Sequence, residues 1–448
     1  MTLSPSLRRW SVALSLLFAL LLAGFLWVRP LLNIGAGYAA KHACSCHFLQ
    51  GRGLDDVRRH DLNFSVLGWV SLAVADDGVD ASFLGLTPRR AVYRPGVGCT
   101  LLNAADQPLA EVAAAIPFSG ADAGAGQGQS AVVVGPPALR EALAFGMQPV
   151  PGGGARGLVV LHGGRLIAER YAPGYGPGTP LLGWSMTKTL TALTLGYQLQ
   201  RSAGGDTVDV ARAVGRDHLF PLVWTDSARQ AITVADLLHM NSGLAWNEAY
   251  GSLSDATIML HEHADMAAYA RAAPAVAPAG EVWNYSSGTT NILAGLIDAA
   301  DDATNFSGLY RALFRDVAPS LLIEPSQAGL PVGSSYGWAT ARDWARLGQF
   351  MLQDGVWNGD TLLPPGWVDY LTRPAAGSDG TYGGQTWLPG PDTPSLPAGS
   401  YMMRGFQDQR VFIVPGRDLV LVRLGHNDDK AADFDRLIAA VLAAVPTD

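Results

Sequence analysis

The longest uncharged apolar run in the chain is Trp10–Val28, which follows Arg8 and Arg9 directly. A helix crosses a bilayer with about 20 such residues, whereas the apolar region of a cleavable leader usually has about 7–15. The expectation is an uncleaved anchor over 10–28, with residues 1–9 as a cytoplasmic stub, because arginines flanking a span favour the cytoplasmic side. The rest of the chain is then expected outside the inner (cytoplasmic) membrane, in the periplasm.

Beyond the anchor the pattern changes to short alternating stretches. Val79–Leu86 alternates apolar and small or polar residues after an Asp76-Asp77-Gly78 turn signal, and predicts a small β-rich pre-domain. With the Gly/Ala/Gln-rich Ser119–Ser130 segment as a linker, this unit is expected over 40–130. From about 155 to 448 the pattern is longer and stronger. Leu158–Leu161 and Leu166–Ala168 flank Gly163-Gly164 as a hairpin over 157–171. Leu190, Leu193, Leu195 and Leu199 give near-helical spacing after Ser185. Helices are also expected over 339–352 and 431–445, and a hairpin over 409–424 turning at Pro415-Gly416. A strand pair at each end of a helical middle predicts one antiparallel sheet assembled from both ends of the domain, an α/β (α+β) fold.

Composition sharpens this picture. With 448 residues and 48% hydrophobic content, the chain can bury a sizeable core. Its 52 Gly and 28 Pro show no period, so long loops are expected to carry much of any site. A net charge of −8, with no internal Lys/Arg run, excludes nucleic acid as the natural partner. Cys44, Cys46 and Cys99 all follow the anchor. In an oxidising compartment Cys99 pairs with Cys44 or Cys46 and one thiol is left over. Cys-x-Cys with one distant cysteine lacks zinc spacing, so no metal is expected. His261-Glu262-His263 alternates too fast for one helical face to gather ligands, and reads as a solvated face.

The chemistry concentrates at Ser185-Met186-Thr187-Lys188. Spacing of i,i+3 places the hydroxyl and the amine on one helical face, where the amine can take the hydroxyl proton. Lys188 is one of three lysines among 31 basic residues. Burial can free a lysine amine but not an arginine guanidinium: bringing a lysine from about 10.4 to near 7 represents roughly 4–5 kcal/mol of preference for the neutral form. A second candidate acid/base is Tyr285, in Tyr285-Ser286-Ser287-Gly288. His426 and Asp428 suggest a Ser–His–Asp triad, but Gly183-Trp184-Ser185-Met186-Thr187 lacks the second glycine of a nucleophile elbow.

Taken together these stretches resemble the serine β-lactamase, penicillin-binding and D-Ala-D-Ala peptidase superfamily over about 157–445. Tyr285-Ser286-Ser287 resembles its Tyr-x-Asn element with Ser287 in place of Asn. Leu237–Leu244 resembles its Leu-Leu-x-His-x-Ser-Gly-Leu run with the histidine shifted, and Thr340–Arg346 its later helix. Gly183–Lys188, Tyr285–Asn291 and Tyr382–Trp387 are most similar to 6-aminohexanoate-dimer (nylon-oligomer) hydrolases and related class C-like esterases. The resemblance implies a serine β-lactamase/DD-peptidase-like fold, an antiparallel sheet flanked by helices with a helical subdomain, and an enzyme without a cofactor. Ser185 would be the nucleophile, with Lys188 and Tyr285 as acid/base. The third element, Lys-Thr-Gly, falls on Met403-Arg404-Gly405, where the lysine is absent. Gly405 would let the strand approach substrate, and the N–H groups of Ser185 and Phe406 would form an oxyanion hole. Arg404, Ser287, Trp246 and Tyr250 are the remaining substrate-binding candidates, and Asp408 departs from an expected glycine. The implied function is hydrolysis of small amides or esters through an acyl-enzyme. A β-lactamase or cell-wall DD-peptidase is the rival within hydrolases. A non-catalytic envelope binding protein is the rival from another class, suggested by the altered second and third elements.

Overall fold

The computed structural model describes residues 5–103, 107–112, 135–215, 224–300 and 305–446, so the expected linker over 119–130 lies outside the described residues. One helix, Pro5–Gln50, opens the fold. At 1.5 Å per residue its 46 residues extend about 69 Å. It does not stop at Val28. Along the apolar run its side chains are exposed, with Trp10 71% and Trp27 83% accessible, whereas Ala36, Ala39, Ala40 and Ala43 are fully buried. Small side chains on that second half let strands pack closely around it.

Four antiparallel strands, β1 (Val70–Ala75), β2 (Gly78–Phe83), β3 (Leu86–Arg94) and β4 (Gly98–Leu101), curl against the helix in the order β1-β2-β3-β4. Phe83 and Leu67 meet the helix at Gly35, and Leu101 meets it at Gly37. A Cys44–Cys99 disulfide ties helix to β4, and Cys46 remains a buried free thiol. Behind that disulfide the buried Glu324 carboxylate takes an ion pair from Lys41 and hydrogen bonds from Ser45 Oγ (2.9 Å), the Cys99 N–H (2.6 Å) and Trp338 Nε1 (2.7 Å). Helix, first sheet and main body therefore share one polar clamp, and one apolar core runs through Ala39, Val79, Leu190 and Trp344.

The main body begins with the hairpin β5 (Gly154–His162) and β6 (Arg165–Tyr171). Gly163 and Gly164 make its turn with φ of 55° and 68°, a left-handed pair that glycine adopts without a Cβ clash. Three short strands, β7 (Pro180–Leu182), β8 (Leu322–Ile323) and β9 (Gly337–Thr340), form a second sheet in the order β7-β9-β8, and β10 (Val356–Trp357) pairs with β11 (Asp360–Thr361). The chain closes with β12 (Tyr401–Gly405), β13 (Gln409–Val414) and β14 (Leu419–His426), so the main sheet reads β12-β13-β14-β5-β6 and joins both ends of the body. Its strands look uniformly apolar because both faces are covered. Val159, Leu161, Val411, Ile413, Val420 and Val422 meet the Ala341–Leu352 helix. The intervening Leu158, Val160, Phe412 and Leu421 meet the Pro137–Gly146 and Phe434–Ala444 helices.

Candidate functional site

A 3-10 turn, Trp184–Met186, feeds the Thr187–Ser202 helix, so the regular helix begins two residues later than the leucine spacing predicts. The difference has a local cause. Trp184 sits at φ 49°, a left-handed conformation rarely tolerated by a bulky residue. Its ring is held by stacking on Tyr38 and His42 of the N-terminal helix (centroids 6.0 and 6.2 Å), by an edge contact with Phe406 (5.9 Å), and by Nε1 donating to Gln407 Oε1 (3.3 Å). The adjacent Ser185 is thereby turned out of the helix and stays partly accessible above the buried Lys188.

Lys188 Nζ lies 3.0 Å from Ser185 Oγ, 2.9 Å from Ser287 Oγ and 3.1 Å from the Ser334 carbonyl oxygen. Burial lowers its pKa to about 8, with the nearby Glu248 acting in the opposite direction. Its ammonium also sits 4.9 Å from the Tyr285 ring centroid. Desolvation, then Glu248, push the Tyr285 hydroxyl well above the ordinary tyrosine range, while Ser185, Arg404 and Trp387 pull the other way. Tyr285 is positioned by Tyr382 and Trp387, with ring centroids 5.6 and 5.3 Å away.

Gly405 ends β12 directly against the Trp184–Met186 turn: a Cβ there would meet the Gly183 carbonyl oxygen at 2.1 Å, so only glycine fits. Phe406 follows beside Trp184. Gln407 and Asp408 then turn with φ of 59° and 62°. That left-handed turn is the reason a glycine suits position 408, and Asp408 occupies it as a short polar residue with local partners. Its buried carboxylate accepts from Asn427 Nδ2 (2.8 Å) and from the Lys430 and Ala432 N–H groups (2.9 and 3.0 Å).

The other expected residues fall around this centre unevenly. Arg404 lies over the Trp387 ring at 4.6 Å and pairs with Asp392 at 3.4 Å, so it is engaged beside the site rather than projecting freely into it. Trp246 and Tyr250 do converge there. Trp246 Nε1 and Tyr250 OH donate to Glu248 at 2.6 and 2.8 Å, and Tyr250 stacks on Phe406 at 5.0 Å. Glu248 itself also accepts from Ser287 Oγ (2.5 Å) and the Ser287 N–H (2.8 Å), and with the Ser334 carbonyl is a part of the candidate site that motif reading omits. The signal was its place midway in Trp246-Asn247-Glu248-Ala249-Tyr250, an alternation that sends three side chains to one side.

One expectation is corrected. His261 is buried, edge-on to Tyr38 at 5.9 Å, and Glu262 binds Asn33 and Arg89, so this stretch is a packing surface for the N-terminal helix rather than a solvated face. His426 does not serve Ser185. It lies 3.9 Å from Asp61, and burial lowers its pKa to about 3. His42, Asp61 and His426 gather their ligand atoms within 4.8 Å, yet Asp61 already receives Arg52 at 2.6 Å and Arg156 at 2.7 Å, and two guanidinium charges at that carboxylate oppose a cation.

Comparison with known proteins bears on the family and the fold. Residues 147–445 match the beta-lactamase family. A 6-aminohexanoate-dimer hydrolase of Paenarthrobacter ureafaciens is 24% identical over 294 residues, 59% of this chain and 71% of that protein. A penicillin-binding protein homolog from Caulobacter crescentus superposes with a TM-score of 0.52 at 18% identity, covering 69% of this chain and 98% of that one. A family VIII carboxylesterase superposes with a TM-score of 0.50 at 13% identity, covering 69% and 98%. The matched span takes in the whole main sheet together with Ser185, Lys188 and Tyr285, and the chain belongs to the beta-lactamase family of hydrolases.

Proposed function

We propose that the protein hydrolyses small amides or esters through an acyl-enzyme on Ser185. The observation that carries this reading is the buried Lys188 amine 3.0 Å from Ser185 Oγ, with its pKa brought to about 8. The neutral amine takes the hydroxyl proton as Oγ bonds to the substrate carbonyl carbon. The resulting oxyanion is held by the N–H groups of Ser185 and Phe406. Collapse breaks the bond to the leaving group, which receives its proton from Tyr285, and the Lys188 ammonium restores the Tyr285 proton. Water then repeats the sequence on the acyl-enzyme. Ser287, Trp246, Tyr250, Gly405 and Arg404 form the surrounding wall. Tyr285 suits the donor role because its hydroxyl stays protonated at neutral pH.

A β-lactam or D-Ala-D-Ala substrate is less favoured, because Met403 stands at the position of the Lys-Thr-Gly lysine and the neighbouring Arg404 is held by Trp387 and Asp392. Ser185→Ala is expected to abolish labelling by a fluorophosphonate probe and to lower p-nitrophenyl ester turnover by about 10³-fold or more. Full activity in that variant overturns the reading. Wild-type protein that neither labels nor turns over favours a binding protein, and rapid nitrocefin cleavage favours a β-lactamase.

The same reading places Trp10–Val28 in the inner membrane with the body on the periplasmic side. Supporting it are the exposed apolar surface of that run, the Cys44–Cys99 disulfide, which suits an oxidising compartment, and two exposed side chains beside the helix exit. These are Trp69 and Leu84, 78% and 84% accessible, each next to a member of the Val70–Phe83 strand pair, which meets the helix at Gly35.

A further inference from the structure

A hydroxyl can donate or accept, and this ambiguity matters at Ser287. Among the described residues Lys188 Nζ has three hydrogen-bond partners, Ser185 Oγ, Ser287 Oγ and the Ser334 carbonyl oxygen. The neutral amine has two hydrogens and one lone pair. The Ser334 carbonyl can only accept, so it takes one hydrogen. If Ser287 accepts the second, the lone pair is left facing Ser185. If Ser287 instead donates its own hydrogen to the amine, the lone pair is spent on the wrong hydroxyl.

Glu248 decides between these two states. Among the described residues its carboxylate oxygens meet four groups that can donate: the Ser287 N–H and Trp246 Nε1 on Oε2, and the Ser287 and Tyr250 hydroxyls on Oε1. A carboxylate accepts and cannot donate, and the 2.5 Å contact from Ser287 Oγ commits that hydroxyl's hydrogen to it. An asparagine at position 287 would present a carbonyl acceptor to the amine without help. A serine there needs a neighbour to fix its direction.

We infer that Glu248 is the positioning residue of the catalytic base: by taking the Ser287 hydroxyl hydrogen it forces Ser287 to accept from Lys188 and aims the amine lone pair at Ser185. This rests on the Ser185–Lys188 reading above. It also explains how the altered second motif remains compatible with catalysis.

The test is Glu248→Gln. Two of the four donors, the indole and the backbone N–H, cannot reverse, so the glutamine oxygen must face them and its NH2 must face the two hydroxyls. Ser287 then accepts from Gln and its hydrogen is released toward Lys188. The expected result is a fall in kcat for a p-nitrophenyl ester of about 10²-fold, with KM within about twofold and the melting temperature little changed. Because the effect passes through Ser287, adding Glu248→Gln to Ser287→Ala lowers kcat by less than about twofold further. Unchanged kcat in Glu248→Gln, or independent multiplication of the two losses, overturns the inference. If Glu248→Gln does not fold, Ser287→Asn decides: its carbonyl faces Lys188 and its amide faces Glu248, so activity within about tenfold of wild type supports the inference, and loss as deep as that of Ser287→Ala overturns it. Wild-type activity that survives Ser185→Ala sinks the underlying reading instead, whereas Ser185-dependent activity indifferent to Glu248→Gln sinks this inference alone.

Discussion

Lys188 is buried with Ser185 Oγ, Ser287 Oγ and the Ser334 carbonyl oxygen within hydrogen-bond distance of its amine, and its pKa of about 8 follows from desolvation only partly offset by Glu248. The sign of the pH dependence follows. Below about 8 the amine carries a proton and cannot take another, so kcat/KM rises as pH climbs toward 8 and levels above it. Lys188→Arg keeps the charge but not the titration, and is expected to lower kcat about 10²–10⁴-fold at every pH tested. A flat wild-type profile from pH 6 to 9 would rule out Lys188 as the base. The pair Ser185 and Lys188 is legible in the sequence because both residues lie on one turn of chain. Glu248 and the Ser334 carbonyl are not, because Glu248 reaches Ser287 and the carbonyl reaches Lys188 from distant loops, and a carbonyl leaves no residue-type signature. Asp408 was legible as an anomaly, and its left-handed φ explains the anomaly without removing its function in the turn.

Among the elements, β12 depends most on a single residue. Gly405 brings it to the Trp184–Met186 turn with no room for a methyl group, since the Gly183 oxygen is 2.1 Å from where a Cβ would lie. Gly405→Ala is therefore expected to push Phe406 away from Ser185 and to slow fluorophosphonate labelling about 10²-fold, as loss of one oxyanion donor does elsewhere. Gly163→Ala is the control. It forces an alanine into φ 55° at a remote hairpin turn, costing about 1–2 kcal/mol of stability while leaving the labelling rate of folded protein intact. Equal labelling rates in the two variants would deny β12 this role. The hairpins were legible because turn residues separate long apolar runs, and those runs stay apolar because helices cover both faces of the sheet. The β7-β9-β8 sheet escaped notice, since strands of two to four residues carry too little periodicity to read.

At the scale of the molecule, the N-terminal helix changes character along its length, and sequence pattern captured only the first half. A run of apolar residues announces Trp10–Val28, but Ala36, Ala39, Ala40 and Ala43 give no comparable signal, because alanines pack a core through closeness rather than through area. The consequence is a sharp asymmetry between two truncations. A chain beginning at Arg29 loses the largely exposed Trp10–Val28 run and keeps the buried alanine face, and is expected to move from the membrane fraction to the soluble fraction with kcat within about twofold of the full chain. A chain beginning at Gly51 loses Lys41, Cys44 and the rings of Tyr38 and His42. Glu324 is then buried without its cation, a change that costs about 3–5 kcal/mol. Trp184 loses both stacking partners that hold its left-handed turn, next to Ser185. That chain should aggregate, or fold with Ser185 poorly reactive toward the fluorophosphonate. If it instead folds and labels at the full-length rate, the buried half of the helix is a tether and not part of the catalytic body.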